Sequence, residues 1–131
     1  KKVLAFEPEA PNKKEGVKIL LKELRKKGPK IVAITDGPRG AYAYDGENFY
    51  FVTPYPDIAP PINRTGAGDA FSSTVVSALV LGKPIEEALM WGPINSMSVV
   101  QQIGARAGLL KRADLENYLA NKPESYRLEV I

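Results

Sequence analysis

The apolar positions change their spacing several times along the chain, and each change marks an element. Between Lys13 and Lys27, Val17, Leu20, Leu21 and Leu24 fall at i, i+3, i+4 and i+7 while Lys and Glu fill the other face. That is the stripe of an amphipathic helix, and Gly28-Pro29 ends it. Upstream, Val3-Leu4-Ala5-Phe6 is a short apolar run stopped by Pro8 and Pro11; downstream, Ile31 to Thr35 is almost continuously apolar, as expected of a buried parallel strand. Strand, helix and strand in that order predict a right-handed crossover and therefore a mostly parallel sheet.

Next comes a turn cluster, Asp36-Gly37-Pro38-Arg39-Gly40. The runs Ala41–Tyr44 and Phe49–Val52, joined by Asp45-Gly46-Glu47-Asn48, predict a β-hairpin. Thr53 to Pro61 holds four prolines and reads as an extended connection. From Ala70 to Leu81 the residues are apolar or small nearly all round, which predicts a helix buried on most sides. Gly82 ends it, Pro84 opens a helix reaching towards Ile103, Pro93 should kink or split that helix, and Gly104 should cap it. A short helix over Leu110–Leu119 and a terminal strand over Tyr126–Ile131 complete the pattern. The sum is a layered α/β domain spanning residues 1–131.

Composition narrows the chemistry. With 131 residues there is material for one modest core. The chain has neither Cys nor His, which removes disulfides, thiolate metal sites and every mechanism built on Ser-His-Asp or Cys-His. Acid–base work must fall to carboxylates, Lys or Tyr. The net charge is only +3, too small a footprint to argue for nucleic acid, and many of the basic residues sit on the wet face of the first helix. Tyr42, Tyr44, Phe49, Tyr50 and Phe51 read as sheet packing rather than base-stacking platforms. No apolar run approaches the ~18 residues of a membrane span, and a cytoplasmic location is the default expectation.

The segment Asn63-Arg64-Thr65-Gly66-Ala67-Gly68-Asp69-Ala70-Phe71 carries the most chemistry. Gly66 and Gly68 let backbone approach a ligand closely. The helix that starts there presents unpaired N–H groups and the positive end of its dipole, an arrangement suited to a phosphate. Asp69 stands in the first turn beside it, able to accept a proton from a hydroxyl while the amides stabilise phosphoryl charge. The same residues could also be no more than a tight turn with an acidic helix start.

Thr65-Gly66-Ala67-Gly68-Asp69-Ala70-Phe71 closely resembles the second signature of the PfkB, or ribokinase-like, carbohydrate kinases, and Ser72, Ser73 and Thr74 continue it in the usual way. Upstream, Thr35-Asp36-Gly37-Pro38-Arg39-Gly40-Ala41 resembles the family's T-x-G-x-x-G-A nucleotide-binding turn. Downstream, Asn95 lies where members often carry an Asn lining the nucleotide site, with Gly104-Ala105 after it. The resemblance implies a ribokinase-like, Rossmann-like α/β/α fold with a mostly parallel sheet plus a hairpin. It implies an ATP-dependent kinase acting on a hydroxyl of a sugar or nucleoside. Asp69 would be the base; Gly66, Ala67 and Gly68 would form the anion hole; Thr35, Gly37, Gly40 and Asn95 would bind nucleotide. Magnesium would accompany ATP. A non-catalytic nucleotide-binding or regulatory module is the alternative.

Where many members place an Asp and bind a potassium-like ion, this chain has Asn63, ahead of Arg64 and Thr65. Losing one negative charge and gaining a positive one weakens the case for a monovalent cation at Asn63 and Thr65. Arg64 either pairs locally or faces the substrate. The resemblance covers only the C-terminal portion of a member. The half expected to hold the sugar site, the lid and the magnesium-linked N-x-x-E pattern is missing, so no protein ligand for a metal is assigned. The chain alone is expected to bind nucleotide without turnover and to self-associate through surface left bare. A dinucleotide fold and a P-loop kinase are unsupported, since neither G-x-G-x-x-G after the first strand nor G-x-x-x-x-G-K-[ST] occurs.

Overall fold

The computed structural model describes residues 13–104 and 106–131. The expected strand Val3–Phe6 lies outside them. Helix α1 (Lys13–Arg25) leads to strand β1 (Val32–Thr35), a 3₁₀ turn (Gly37–Arg39), and the hairpin β2 (Ala41–Tyr44) and β3 (Phe49–Val52). Helices α2 (Ala67–Val80), α3 (Ile85–Val99) and α4 (Arg112–Ala120) follow, and strand β4 (Leu128–Val130) ends the chain.

Among the described residues the sheet has the order β1-β2-β3-β4, and every pairing is antiparallel. This corrects the expectation of a mostly parallel sheet. Parallel neighbours need a crossover of a dozen or more residues. Here only Asp36–Gly40 separates β1 from β2, and only Asp45–Asn48 separates β2 from β3. The apolar run of β1 misled for a second reason: Ala33 and Thr35 are exposed, so one face of the strand is open.

Register sorts the side chains into two layers. Val32 and Ile34 share a face with Tyr42, Tyr44, Phe49 and Phe51, and α1 covers it with Val17 and Leu21. Tyr44 and Phe49 stack at 4.1 Å, Tyr42 and Phe51 tilt at 4.9 Å, and the ammonium groups of Lys18 and Lys22 sit 5.6 and 5.5 Å from the Phe49 ring. These aromatics are packing residues, as the alternation suggests. Ala41, Ala43, Tyr50 and Val52 face the other way, into the main core with Phe71, Val75, Leu89, Trp91, Ile94 and Leu115. The arrangement is therefore helix, sheet, helices: α1 on one side, α2, α3 and α4 on the other.

Two punctuation signals act differently from expectation. Pro93 lies inside a continuous α3 and does not split it. The helix ends at Val99 with Val100 as its cap, several residues before Gly104. Beside the proline, the buried Tyr126 donates its hydroxyl proton to the carbonyl of Met90, binding the chain's last segment to α3. Among the described residues no helix is long and apolar enough to cross a membrane.

Candidate functional site

Between the turn that follows β1 and the start of α2 lies a cleft of about 370 Å³, a size that suits a small molecule. One wall is the 35–41 turn, with Thr35, Gly37, Pro38, Gly40 and Ala41. The opposite wall is the start of α2, with Ala67, Gly68 and Phe71. Pro93, Ser96, Met97 and Val100 close the floor. Their i, i+3, i+4, i+7 spacing marks one stripe of α3. Tyr55 lines the side, its ring held edge-on against Tyr126 at 4.8 Å and Tyr118 at 5.8 Å.

The glycine turn is built from the backbone outward. Ile62 and Asn63 both donate their N–H to the carbonyl of Val100, at 2.9 and 3.3 Å, which pins the incoming chain to the end of α3. Asn63 Oδ1 then accepts the N–H of Thr65 at 2.8 Å, an Asx turn. Gly66 caps α2 at φ +87°, left-handed backbone that a side chain would strain. Ser96 Oγ donates to the carbonyl of Ala67 at 2.7 Å and fixes the first turn against α3. Ala67 spends its N–H on the carbonyl of Arg64 at 3.3 Å. The N–H groups of Gly66, Gly68 and Asp69 have no acceptor among the described residues. A Cβ built on Gly68 meets nothing within 4 Å, so the glycine leaves open space beside those amides. Asp69 follows, exposed, at the same helix end. It is not among the residues that wall the cleft.

The Thr35–Gly40 turn is equally constrained. Asp36 N–H donates to the carbonyl of Gly40 at 2.8 Å. Gly40 has φ +114°, and a Cβ there would lie 2.4 Å from the carbonyl oxygen of Val52. Gly37, at φ +54°, has open space. The Asp36 carboxylate binds the Arg39 guanidinium at 2.7 Å and the Lys13 ammonium. The hydrogen bond from Arg39 holds that carboxyl below the usual carboxylate range; burial opposes the effect and Lys13 adds to it.

Of the residues singled out from sequence, Thr35, Gly37, Gly40, Ala67 and Gly68 meet in this cleft. Asn95 does not. It is 4% exposed, its amide donates to Thr74 Oγ1 at 2.7 Å, and its Oδ1 accepts the N–H of Leu110 at 2.9 Å. It joins α2, α3 and the entry to α4. The cleft-facing neighbour is Ser96, one position further round the helix. Sequence reading missed Ser96, Tyr55 and Met97; the i, i+3, i+4, i+7 set through Pro93 was the available signal for the α3 residues. No group of three or more acidic side chains able to hold a metal occurs among the described residues.

Residues 4–112 match the profile of the pfkB family of carbohydrate kinases. The ribokinase of Bacillus subtilis is 32% identical over 92 residues, which are 70% of this chain and 31% of that protein. The cytidine kinase of Thermococcus kodakarensis is 34% identical over 92 residues, 69% of this chain and 32% of that protein. The structure of Arabidopsis thaliana ribokinase complexed with ribose and ATP superposes with a TM-score of 0.72 at 27% identity, covering 80% of this chain and 34% of that one. The chain thus spans about a third of the length of these relatives. With that profile match over most of its length, the chain belongs to the pfkB family of carbohydrate kinases.

Proposed function

We propose that this chain is the nucleotide-binding portion of an ATP-dependent kinase that phosphorylates a hydroxyl of a sugar or nucleoside. The observation that carries the reading is the cleft itself. One cavity joins the Thr35–Gly40 turn to the first turn of α2, where the amides of Gly66, Gly68 and Asp69 have no acceptor among the described residues. ATP is proposed to lie along it, the nucleoside towards Thr35, Gly37 and Gly40 and the phosphates towards Gly68.

In this scheme Asp69 takes the proton of the acceptor hydroxyl as the hydroxyl oxygen attacks the terminal phosphorus of ATP; the bond from that phosphorus to the bridging oxygen breaks, and ADP leaves. The free amides stabilise the charge on the transferred phosphoryl group. The exposure of Asp69 outside the nucleotide cleft fits an acceptor that approaches from the other side of the helix end. Magnesium would arrive on the nucleotide phosphates, supplying charge neutralisation there; the acidic side chains described here give it no cluster. Asn63 uses its side-chain oxygen on Thr65, which leaves that oxygen less able to serve a cation, and no monovalent site is included.

The relatives act on different acceptors, ribose-type and cytidine, and the acceptor class stays at sugar or nucleoside. Residues beyond this chain would supply the acceptor site. The outward side of α2, with Val76 60% and Val80 81% exposed, is the apolar surface such residues would cover, and the chain alone is expected to self-associate through it. Sedimentation at rising concentration reads that directly.

Titrating ATP into the 131-residue chain tests the binding half of the proposal. Weak, saturable binding with amide shifts at Gly68 and at Thr35–Gly40 is expected, and no sugar-dependent ATP consumption. In the longer kinase, Asp69→Asn should lower turnover by roughly three orders of magnitude or more while nucleotide affinity stays. Turnover that survives the change would show that Asp69 is not the base.

A further inference from the structure

Two charged side chains line the cleft, Asp57 and Arg64. Arg64 is therefore its one cationic side chain among the described residues. Its backbone is held on both sides. The N–H of the preceding Asn63 is bound to Val100, Asn63 Oδ1 holds the following Thr65 N–H, and Arg64's own carbonyl accepts the N–H of Ala67. Its head is not held comparably. The guanidinium side chain is 59% exposed and faces the 37%-exposed Asp57 at 3.9 Å, beyond hydrogen-bonding distance. An exposed pair at that separation is weakly coupled. A phosphate offers higher charge and two oxygens in the geometry a guanidinium binds best.

We propose that Arg64 is a phosphate clamp. In the free chain its guanidinium rests beside Asp57, and on nucleotide binding it transfers to the phosphate held by the amides of Gly68 and Asp69. The proposal rests on the nucleotide-binding reading above and assigns it a specificity element: Arg64 distinguishes phosphorylated ligands from the bare nucleoside. Asp57 is then a competing counter-ion, and the two members of the pair act with opposite sign.

The test is calorimetric or NMR titration of the 131-residue chain with ATP, inorganic tripolyphosphate and adenosine. Arg64→Gln should weaken ATP and tripolyphosphate about tenfold and leave adenosine unchanged. Arg64→Lys should recover part of the loss, because the charge returns without the planar fork. Asp57→Asn should tighten ATP a few-fold at low salt, an effect that salt removes. Thermal melts of all three variants should stay close to that of the wild type, since the pair is exposed. If Arg64→Gln and wild type bind ATP alike, the nucleotide site stands and the clamp is wrong. If Asp57→Asn weakens ATP as much as Arg64→Gln does, the pair is structural and the clamp is again wrong. If the wild-type chain binds neither ATP nor tripolyphosphate, the functional reading fails and the clamp fails with it.

Discussion

Ser96 on α3 donates a 2.7 Å hydrogen bond to the carbonyl of Ala67, in the first turn of α2. This bond ties the proposed anion site to the helix that also forms the floor of the cleft. A helix end can present its free amides to a phosphate only if its direction is fixed. Here the direction is set by Ser96 at one point and by Val100, through Ile62 and Asn63, at another. Ser96→Ala should cost about 0.5–1.5 kcal/mol of stability and weaken ATP binding several-fold. Urea unfolding and ATP titration of the same sample separate the two effects.

The glycines of the two turns should respond oppositely to one methyl group. At Gly68 a Cβ has nothing within 4 Å, and the position is helical, where alanine is favoured over glycine by roughly 0.5–1 kcal/mol. Gly68→Ala should fold as well as wild type or better, yet bind ATP about tenfold more weakly, because the methyl occupies the approach to the amides. At Gly40 the backbone is left-handed and the Cβ would overlap the Val52 carbonyl. Gly40→Ala should destabilise the hairpin by about 2 kcal/mol or more. Equal losses of stability in both variants would show that Gly68 is a fold residue.

Asn95 separates a fold role from a ligand role. Its amide satisfies the buried Thr74 hydroxyl and the Leu110 N–H together. Asn95→Ala leaves both without partners, at about 1–3 kcal/mol for each group left unsatisfied. The expected result is a large drop in melting temperature with unchanged ATP affinity at a temperature where the variant is folded. A selective loss of ATP binding would return Asn95 to the nucleotide site.

Local order was legible in the sequence wherever one period dominated. The alternation in Ala41–Tyr44 and Phe49–Val52 matches both hairpin strands residue for residue, and the Val17–Leu21 stripe marks the buried side of α1. Sheet polarity was not legible, because an apolar run such as Ile31–Thr35 reads the same in either direction and only the short Asp36–Gly40 turn decides it. The glycine-rich string located one wall of the cleft and the Thr35–Gly40 turn another. Asn95 and Ser96 are adjacent in sequence, yet a step of about 100° on α3 puts the first in the core and the second in the cleft. The cross-links that set the site, Ser96 to Ala67 and Val100 to Ile62 and Asn63, join residues tens of positions apart and leave no trace in local spacing.

Acid should loosen the Thr35–Gly40 turn before it unfolds the chain, and Asp36 is the reason. Its carboxylate is gripped by Arg39, bonded to Lys13 at the start of α1, and only 11% exposed. The Arg39 hydrogen bond in particular makes the group harder to protonate in the folded chain than in the unfolded one. In acid the unfolded chain therefore binds the extra proton, so stability rises with pH through the carboxylate range and levels off above it. The contribution is fully present near neutrality and is lost as pH falls below about 4, through the depressed folded value. Asp36→Asn should lower stability at pH 7 and flatten the acid limb of a urea-unfolding series between about pH 2.5 and 7. Some slope should remain from Asp45, also held below the usual range because the backbone amides of Asn48 and Glu47 outweigh the opposing effect of its burial. An unchanged acid limb in Asp36→Asn would mean that the Lys13–Asp36–Arg39 cluster contributes nothing to holding the turn, and the wall of the cleft would have to be fixed by Gly40 and the hairpin alone.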